Sequence, residues 1–427
     1  MAISTIGLLK ERAFFPLFLT QFFGAFNDNA FKLAMLTLIS YHLTSSQTQS
    51  EQYQAIASAL FITPFFLFSA TAGQLADKFD KADLTRIIKL FEVLLVSIGG
   101  LGFYFGNPWL LMITLTGMGI HSTFFGPIKY AILPQHLPQQ QLLGATALIE
   151  ASTFLAILLG TIFGTLSMGG VKTGSIIAII LTGIVALAGL AASLFILPAK
   201  SVAAEVFVDW NVWRATCQLM KNVVIDKGIM LAILGISWFW LIGAVMLTKL
   251  PDYTNYVLSA DSTVFAVFLG LFSIGIALGS MIINFLLAGR ITLQYVPHAM
   301  LLLSLFTVDL SWASPMVVEG ASLQSLVIFF SKINHWRIAI DLFLLAVSGG
   351  IFAVPLYTYL QVACDSNVRA RTIAANNIMN ALFMVVGTCL VMLLLHFNVE
   401  ITHVFLIMAI LNVCVAFVFW KLFPKAS

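Results

Sequence analysis

Charge is scarce in this chain. Of 427 residues, 21 are Lys or Arg and 18 are Asp or Glu, 9% in all. Ordinary globular chains carry about 25%. So few charges cannot coat a soluble surface of this size, which excludes a soluble enzyme, a nucleic-acid binder and a disordered scaffold. Cysteine is also rare. Cys217, Cys364, Cys389 and Cys414 are scattered without a CxxC pair, so neither a disulfide frame nor a metal site is expected. No G-x-x-x-x-G-K-[ST] phosphate loop is present, which removes the obvious signature of ATP as fuel. No nucleophile–base arrangement or His/Cys cluster occurs. The expectation is a non-enzyme with no catalytic residue, cofactor or metal. What abounds is apolar: 60% of residues are hydrophobic, with 37 Phe, and the 15 Met read as core filling.

The hydrophobic residues fall into twelve runs, approximately 13–43, 53–76, 86–105, 109–133, 142–168, 174–198, 229–250, 262–288, 295–312, 337–360, 372–396 and 400–422. One span needs ~20 apolar residues. Outer-membrane barrel strands would be ~10-residue alternating segments, and these runs are longer and unbroken. The first run is about twice the length of a signal-peptide core and lacks a small-residue cleavage site, so it reads as a span. The predicted fold class is an all-α membrane protein of twelve transmembrane helices.

Lysine and arginine bias orients the spans. With the N-terminus inside, 16 basic residues fall in inner segments, among them Lys78, Lys81, Arg86, Lys89, Lys129 and Lys425. Lys172, Lys332 and Arg337 fall outside, and Lys32 and Lys249 lie within spans. Both termini are expected to be cytoplasmic. The longest polar interval, 199–228, carries Asp209, Trp210, Trp213, Arg214, Leu219 and Lys221 in an amphipathic pattern suited to a helix on the cytoplasmic interface. It divides the chain into a six-helix bundle at 1–198, a linker at 199–228 and a second six-helix bundle at 229–427. A weak internal echo supports pseudo-symmetry. Gly126-Pro127-Ile128-Lys129-Tyr130 ends span 4 and Ala145 through Glu150-Ala151 opens span 5; Val354-Pro355-Leu356-Tyr357 lies in span 10 and Ala375 through Ala381 opens span 11. Parallel six-span repeats are a transporter architecture. The outer loop 313–336 contains an apolar stretch, Leu326 to Phe330, expected to form a short helix.

Gly73-Gln74-Leu75-Ala76-Asp77-Lys78-Phe79-Asp80-Lys81 follows span 2. It resembles the loop signature of the major facilitator superfamily: a glycine, a small or apolar stretch, an aspartate, then basic residues. The resemblance implies that Gly73, Asp77, Lys78, Lys81 and Arg86 latch a cytoplasmic gate in the outward-facing state. The alternative is a charged loop that only obeys the positive-inside rule. The matching loop of the second half, Gly289-Arg290, has lost most of the pattern.

Charges inside spans are more informative, because each costs about 2.5–3.5 kcal/mol at the bilayer centre on insertion scales. Asp28 lies near mid-membrane in span 1, Lys32 shares its face one turn on, and Asn27 and Asn29 flank it. Either the two charges form a neutralised packing pair, or the segment is a polar centre facing a cavity; four polar residues in six positions favour the cavity. Glu150 lies about two turns into span 5. Glu92 in span 3 is read either as structural, snorkelling inward, or as functional. Lys129 sits near the end of span 4, where snorkelling is the alternative. Asn376, Asn377 and Asn380 share a stretch of span 11, as site or as helix–helix glue. Trp238 and Trp240 of span 7 read as cavity lining, and His121 as a helix–helix hydrogen-bonding residue.

Longer strings carry a narrower resemblance. They are Gln21 through Asn29, Phe125 through Gln135, Gly144 through Thr153, Gly235 through Trp240 and Arg369 through Ala381. Over almost the whole chain these resemble the bacterial lysophospholipid transporter family. The resemblance implies a flippase of the bacterial inner membrane that returns lysophosphatidylethanolamine and related lysolipids to the inner leaflet by alternating access with lateral lipid entry. A cytoplasmic acyltransferase–acyl-carrier-protein synthetase would then reacylate them. Some members are fused to that enzyme; this chain stops at Ser427 without such a domain, so acyl transfer itself is not expected of it. The expected partners are the lysophospholipid, membrane lipids and the cytoplasmic acyltransferase as a separate protein, with no nucleic acid, and the expected state is a monomer. On this reading Lys129 (beside Tyr130) or Lys32 meets the phosphate, Asp28 (beside Asn29) or Glu150 the ammonium, and the span-11 asparagines the glycerol hydroxyl. Two other readings stay open: a proton- or sodium-coupled exporter of amphipathic drugs, and a non-transporting membrane scaffold for the acyltransferase.

Overall fold

A computed structural model describes residues 5–44, 46–168, 171–315 and 322–422. Lys425 and residues 316–321 of the outer loop lie outside the described residues, as does the side chain of Lys172. The first half forms α1 (Phe15–Leu38), α2 (Gln47–Lys78), α3 (Lys81–Phe105), α4 (Pro108–Ala131), α5 (Gln139–Ser167) and α6 (Val171–Leu194). A short helix, α7 (Val212–Val224), precedes α8 (Lys227–Asp252), α9 (Ser262–Leu287), α10 (Tyr295–Ala313), α11 (Ile333–Ala363), α12 (Arg369–His396) and α13 (Ile401–Leu422). Among the described residues the only β pairing is an isolated bridge between Ala260 and Gln324. The expected short helix forms at Leu326–Phe330.

Eleven helices among the described residues, α2–α6 and α8–α13, are long and apolar enough to cross a membrane. The remaining run, α1, is a helix of 24 residues, about 36 Å long at 1.5 Å per residue. Its length suffices, but Gln21, Asn27, Asp28, Asn29 and Lys32 lower its hydropathy. Helix starts follow local rules. Asp80 caps α3 by accepting from the Ala82 and Asp83 amides, and Asn107 caps α4 with Pro108 at its first position.

The chain divides into two compact units. One comprises the described residues of Met1–Ala145, Leu155–Ile229 and Leu360–Ile378; the other those of Thr146–Phe154, Met230–Tyr359 and Met379–Ser427. In the first, α2 packs on α4 and α6 on both α1 and α3, around buried Phe31, Met35, Leu95 and Leu115. Gly160 and Gly164 of α5 lie against α1, where a Cβ on Gly164 would stand 2.8 Å from the Ala30 Cα. In the second unit α10 packs on α13. Gly275 and Gly279 of α9 meet α11, where a Cβ on Gly275 would stand 2.8 Å from the Ala346 Cβ. Lipid supplies no hydrophobic drive between helices, so such small-xxx-small faces, which let backbones touch, do the packing in both units.

The linker helix α7 is amphipathic as expected. Ala215, Leu219 and Val223 are buried, whereas Trp210 and Trp213 are more than 70% exposed. The chain entering α7 is pinned by the Asp209 amide, which donates to Gln74 Oε1 of α2 at 2.8 Å. Arg214 grips Asp209 bidentately, at 2.6 and 2.9 Å. These bonds hold the Asp209 carboxyl below the usual carboxylate range. A depressed folded-state value means stabilisation that is present above the unfolded value and lost as pH falls through the folded one. The protection factors of the α7 amides, the intrinsic exchange rate divided by the observed one at each pH, are therefore expected to be flat from neutral pH down to about pH 4 and to fall below it. Asp209→Asn should show the faster exchange at neutral pH; unchanged protection in that variant removes the pair's role.

Candidate functional site

The polar centre of α1 lies 13 residues past Phe15, about 20 Å along the helix. Neighbouring helical positions diverge by about 100°, so Asn27 and Asp28 reach different partners. Asn27 Nδ2 donates to Glu92 Oε1 of α3 at 2.8 Å. The Ser122 hydroxyl of α4 donates to Asp28 Oδ2. Glu92 is held further by Lys89 Nζ, 2.6 Å from Oε2, and by His121 Nε2, 3.3 Å from the same oxygen. The side chains of Lys89, Glu92 and His121 are at most 1% exposed, and Lys89 also lies over the Phe125 ring, 5.6 Å from its centroid. Lys89 and Glu92 thus neutralise each other, which a buried pair requires. No ion pair holds Asp28 among the described residues: its Oδ1 is buried and has no hydrogen-bond partner there.

The neutralised pair of Asp28 with Lys32 does not form. Among the described residues no ion pair joins them. Lys32 is half-buried and its Nζ lies over the Phe61 ring of α2, 5.9 Å from the centroid. Asn29 turns back to its own helix and donates to the Ala25 carbonyl at 2.8 Å. On α4, Ser122, Gly126 and Lys129 follow at i, i+4 and i+7, a single face. All three are half-buried, so this face is partly open. It runs about 10 Å, from the Asp28 contact to Lys129, whose Nζ lies 4.8 Å from the Tyr130 ring centroid. Midway, a Cβ on Gly126 would stand 2.6 Å from Asn377 Nδ2 of α12. Asn376 is fully buried, and neither its oxygen nor its nitrogen has a hydrogen-bond partner among the described residues.

The span-2 aspartate also belongs to this unit. Asp77, fully buried, accepts from the backbone amides of Ala370 (3.0 Å) and Arg371 (3.3 Å) and from Arg371 Nε (2.9 Å). It therefore caps the start of α12, satisfying orphan amides and meeting the positive end of the helix dipole. Gly73 makes the approach possible, since a Cβ there would stand 2.7 Å from the Arg371 Cα. Lys81 is buried beside it. Arg86 donates to the Ile196 carbonyl at 3.0 Å and pairs with Asp83 at 2.6 Å. Lys78 lies over its neighbour Phe79, 5.9 Å from the ring centroid.

The remaining predicted residues fall in the second unit. Glu150 is buried in Thr146–Phe154. Trp238 and Trp240 point apart, as i and i+2 on a helix must. Trp240 stacks on Phe154, centroids 6.0 Å apart, and its Nε1 donates to the Tyr357 hydroxyl at 2.7 Å. Trp238 Nε1 donates to Asn412 Oδ1 of α13 at 2.8 Å, and Asn412 bonds the Met300 carbonyl and Ser304 of α10. Trp238 is thus tied into helix packing, while Trp240 heads an aromatic shelf. Asn380 accepts from Ser237 Oγ at 2.9 Å.

Several functional neighbours escape a reading of the sequence. Lys89, counted with the inner basic residues, is fully buried on α3; its signal was the i, i+3 spacing to Glu92. Ser122, Phe61, Phe154 and Asn412 carry no sequence signal, because each acquires its role only through contact; Tyr357 stands in the internal echo, which does not name its partner.

Membrane-length helices around a buried ion pair, with an acidic side chain clasping a helix start, define a polytopic membrane protein of the transporter kind. The profile of the Major Facilitator Superfamily matches residues 17–388, and the chain belongs to that superfamily. It is 28% identical over 384 residues to the lysophospholipid transporter LplT of Escherichia fergusonii, covering 88% of this chain and 87% of that one. To the lysophospholipid transporter LplT of Photorhabdus laumondii it is 27% identical over 371 residues, covering 84% and 82%. Its fold is similar to that of the Escherichia coli fucose:proton symporter FucP, with TM-score 0.73, 12% identity and coverage of 97% and 98%. It also resembles a bacterial homologue of the iron transporter ferroportin, with TM-score 0.69, 14% identity and coverage of 96% and 100%. At such identities these likenesses speak for the fold alone, and they agree with the all-helical superfamily fold expected from the sequence.

Proposed function

We propose that the chain transports lysophospholipids, moving lysophosphatidylethanolamine and related lysolipids across a bacterial inner membrane for reacylation on the cytoplasmic side. The observation that carries this reading is the α4 face, with a lysine at one end and an aspartate lacking a counter-ion at the other. A zwitterionic head group carries a phosphate and an ammonium, and in a dry site each is worth more than in water. Lys129 (with Tyr130) or Lys32 receives the phosphate. Asp28 (flanked by Asn29) receives the ammonium, with Glu150 as a second acid. Asn376, Asn377 and Asn380 serve the glycerol hydroxyl, and Trp240, with Trp238 behind it, offers apolar wall. The named relatives support the substrate class.

In this reading α1 is the twelfth span, its hydropathy lowered for function. The chain comprises bundles at 1–198 and 229–427, a linker at 199–228 and cytoplasmic termini. The Asp77 latch, with Gly73, Lys78, Lys81 and Arg86, closes the cytoplasmic side while the outer leaflet is sampled. The lipid enters laterally, its tail remaining in the bilayer, and a separate cytoplasmic acyltransferase takes the product from a monomeric transporter. The test is movement of fluorescent lysophosphatidylethanolamine in vesicles containing only this protein, with and without an ion gradient. Transport without a gradient is expected. Strict gradient dependence would instead favour the coupled exporter, and no movement at all the scaffold.

A further inference from the structure

A second cluster of charge lies at the other unit's helix ends. Asp309 stands four residues before the end of α10, and Arg337 and Asp341 near the start of α11. Arg337 spends its fork on Asp309: Nε donates to Oδ2 at 3.0 Å and Nη2 to Oδ1. Asp341, one turn beyond Arg337, is only 4% exposed. It shares its face of α11 with Arg337, whose guanidinium is spent on Asp309, and its Oδ2 is buried without a hydrogen-bond partner among the described residues.

The single guanidinium balances a single carboxylate, so two ionised acids would leave one uncompensated charge in a buried position. Among the described residues other groups do not supply the balance. Tyr253, the titratable neighbour from the turn after α8, has its hydroxyl bonded to Ser314 at 2.7 Å. Lys249 pairs with Asp252 at 2.8 Å. His335 is stacked on Phe329 and bonded to its carbonyl at 2.7 Å, and Lys332 donates to Gln324 at 3.0 Å.

We propose that Asp309 and Asp341, with Arg337, form a proton-binding site that clasps α10 to α11. Asp309, with its side chain 31% exposed, is the port through which the proton arrives, and Asp341 is where it is held. Uptake forms one O–H bond on Asp341 and neutralises one carboxylate. Release leaves two carboxylates against one guanidinium, and the clasp between the helices weakens. The site is independent of the lipid reading and gives the transporter sensitivity to the pH on the side where these helix ends emerge.

The test uses the full chain in lipid vesicles. Infrared difference spectroscopy at neutral pH should show a carboxylic-acid carbonyl band that Asp341→Asn removes, and the variant should take up about one proton fewer across the titration. A shared proton stabilises the folded protein at low pH and is lost as pH rises. The wild-type unfolding midpoint should thus fall by several degrees between about pH 5 and about pH 9, whereas Asp341→Asn, which has no proton to lose there, should stay flat. A band unchanged in Asp341→Asn, or an identical pH profile, overturns the proposal. So does recovery of the high-pH midpoint by sodium alone, which would make the occupant a metal cation. If Asp341→Asn does not fold, Asp309→Asn decides the matter: it should shift the same band, and a band that stays in place overturns the site.

Discussion

In vesicles containing only this protein, Asp28→Ala is expected to lower lysophosphatidylethanolamine uptake by about 10- to 150-fold while leaving thermal unfolding unchanged. The factor is that of one lost charge-assisted interaction, about 1.5–3 kcal/mol. Stability is spared because Asp28 contributes one hydrogen bond, from Ser122, and burdens the fold with an acid that has no counter-ion. Removing it relieves as much as it costs. In the proposed site the substrate's ammonium supplies a cation to Asp28, so affinity for it should fall with the carboxylate. Asp28→Asn keeps the bond to Ser122 and should still lose transport, which separates charge from geometry. Wild-type uptake in both variants would take Asp28 out of the site.

The opposite outcome is expected three helical positions from a lysine. Glu92→Ala removes the partner of a fully buried Lys89 and one acceptor of Asn27. Breaking a buried pair from one side costs about 3–5 kcal/mol, a large share of a typical net stability of about 5–15 kcal/mol. Folded protein recovered from membranes should fall severely, before any effect on transport is measurable. Lys89→Met combined with Glu92→Leu removes both charges together and should recover most of the lost yield, because packed apolar side chains replace buried pairs at little cost. Glu92→Ala at wild-type yield and midpoint would show that the pair is not structural. Under the proposed function the two carboxylates divide labour: Glu92 holds the bundle, and Asp28 is left for the ligand.

That division marks where the sequence stopped being readable. Helix class and nearly every helix boundary follow from hydropathy, because lipid obliges each run to satisfy its backbone internally. Asp28 and Lys32 were found for the same reason in reverse, as exceptions to apolarity. Their relation was not legible, because i, i+4 spacing allows a pair that Lys32 declines in favour of Phe61. Counting Lys89 by its nearness to a helix end leaves out its face, which turns it inward to Glu92. The split between Trp238 and Trp240 was implicit in their spacing, but the partners, Asn412 on α13 and Tyr357 on α11, are long-range contacts. Sequence pattern reports depth and face; it does not report the neighbour.

The contact at Gly73 bears on how the protein changes state. A single methyl group there would collide with the Arg371 Cα and the Ala374 Cβ, at 2.7 and 2.8 Å, and the two strongest bonds to Asp77 end on backbone and guanidinium of the same helical turn. A joint with no slack has no intermediate settings. As the proposed latch it is either seated, with both oxygens of Asp77 filled, or withdrawn far enough for water to replace α12. Substrates, lipid composition and voltage then act on the fraction of molecules seated, not on the degree of seating, and each 1.4 kcal/mol of bias moves that ratio about tenfold. Single-molecule records of α2 against the start of α12 should accordingly show two levels and abrupt steps, with dwell times as the only adjustable quantity.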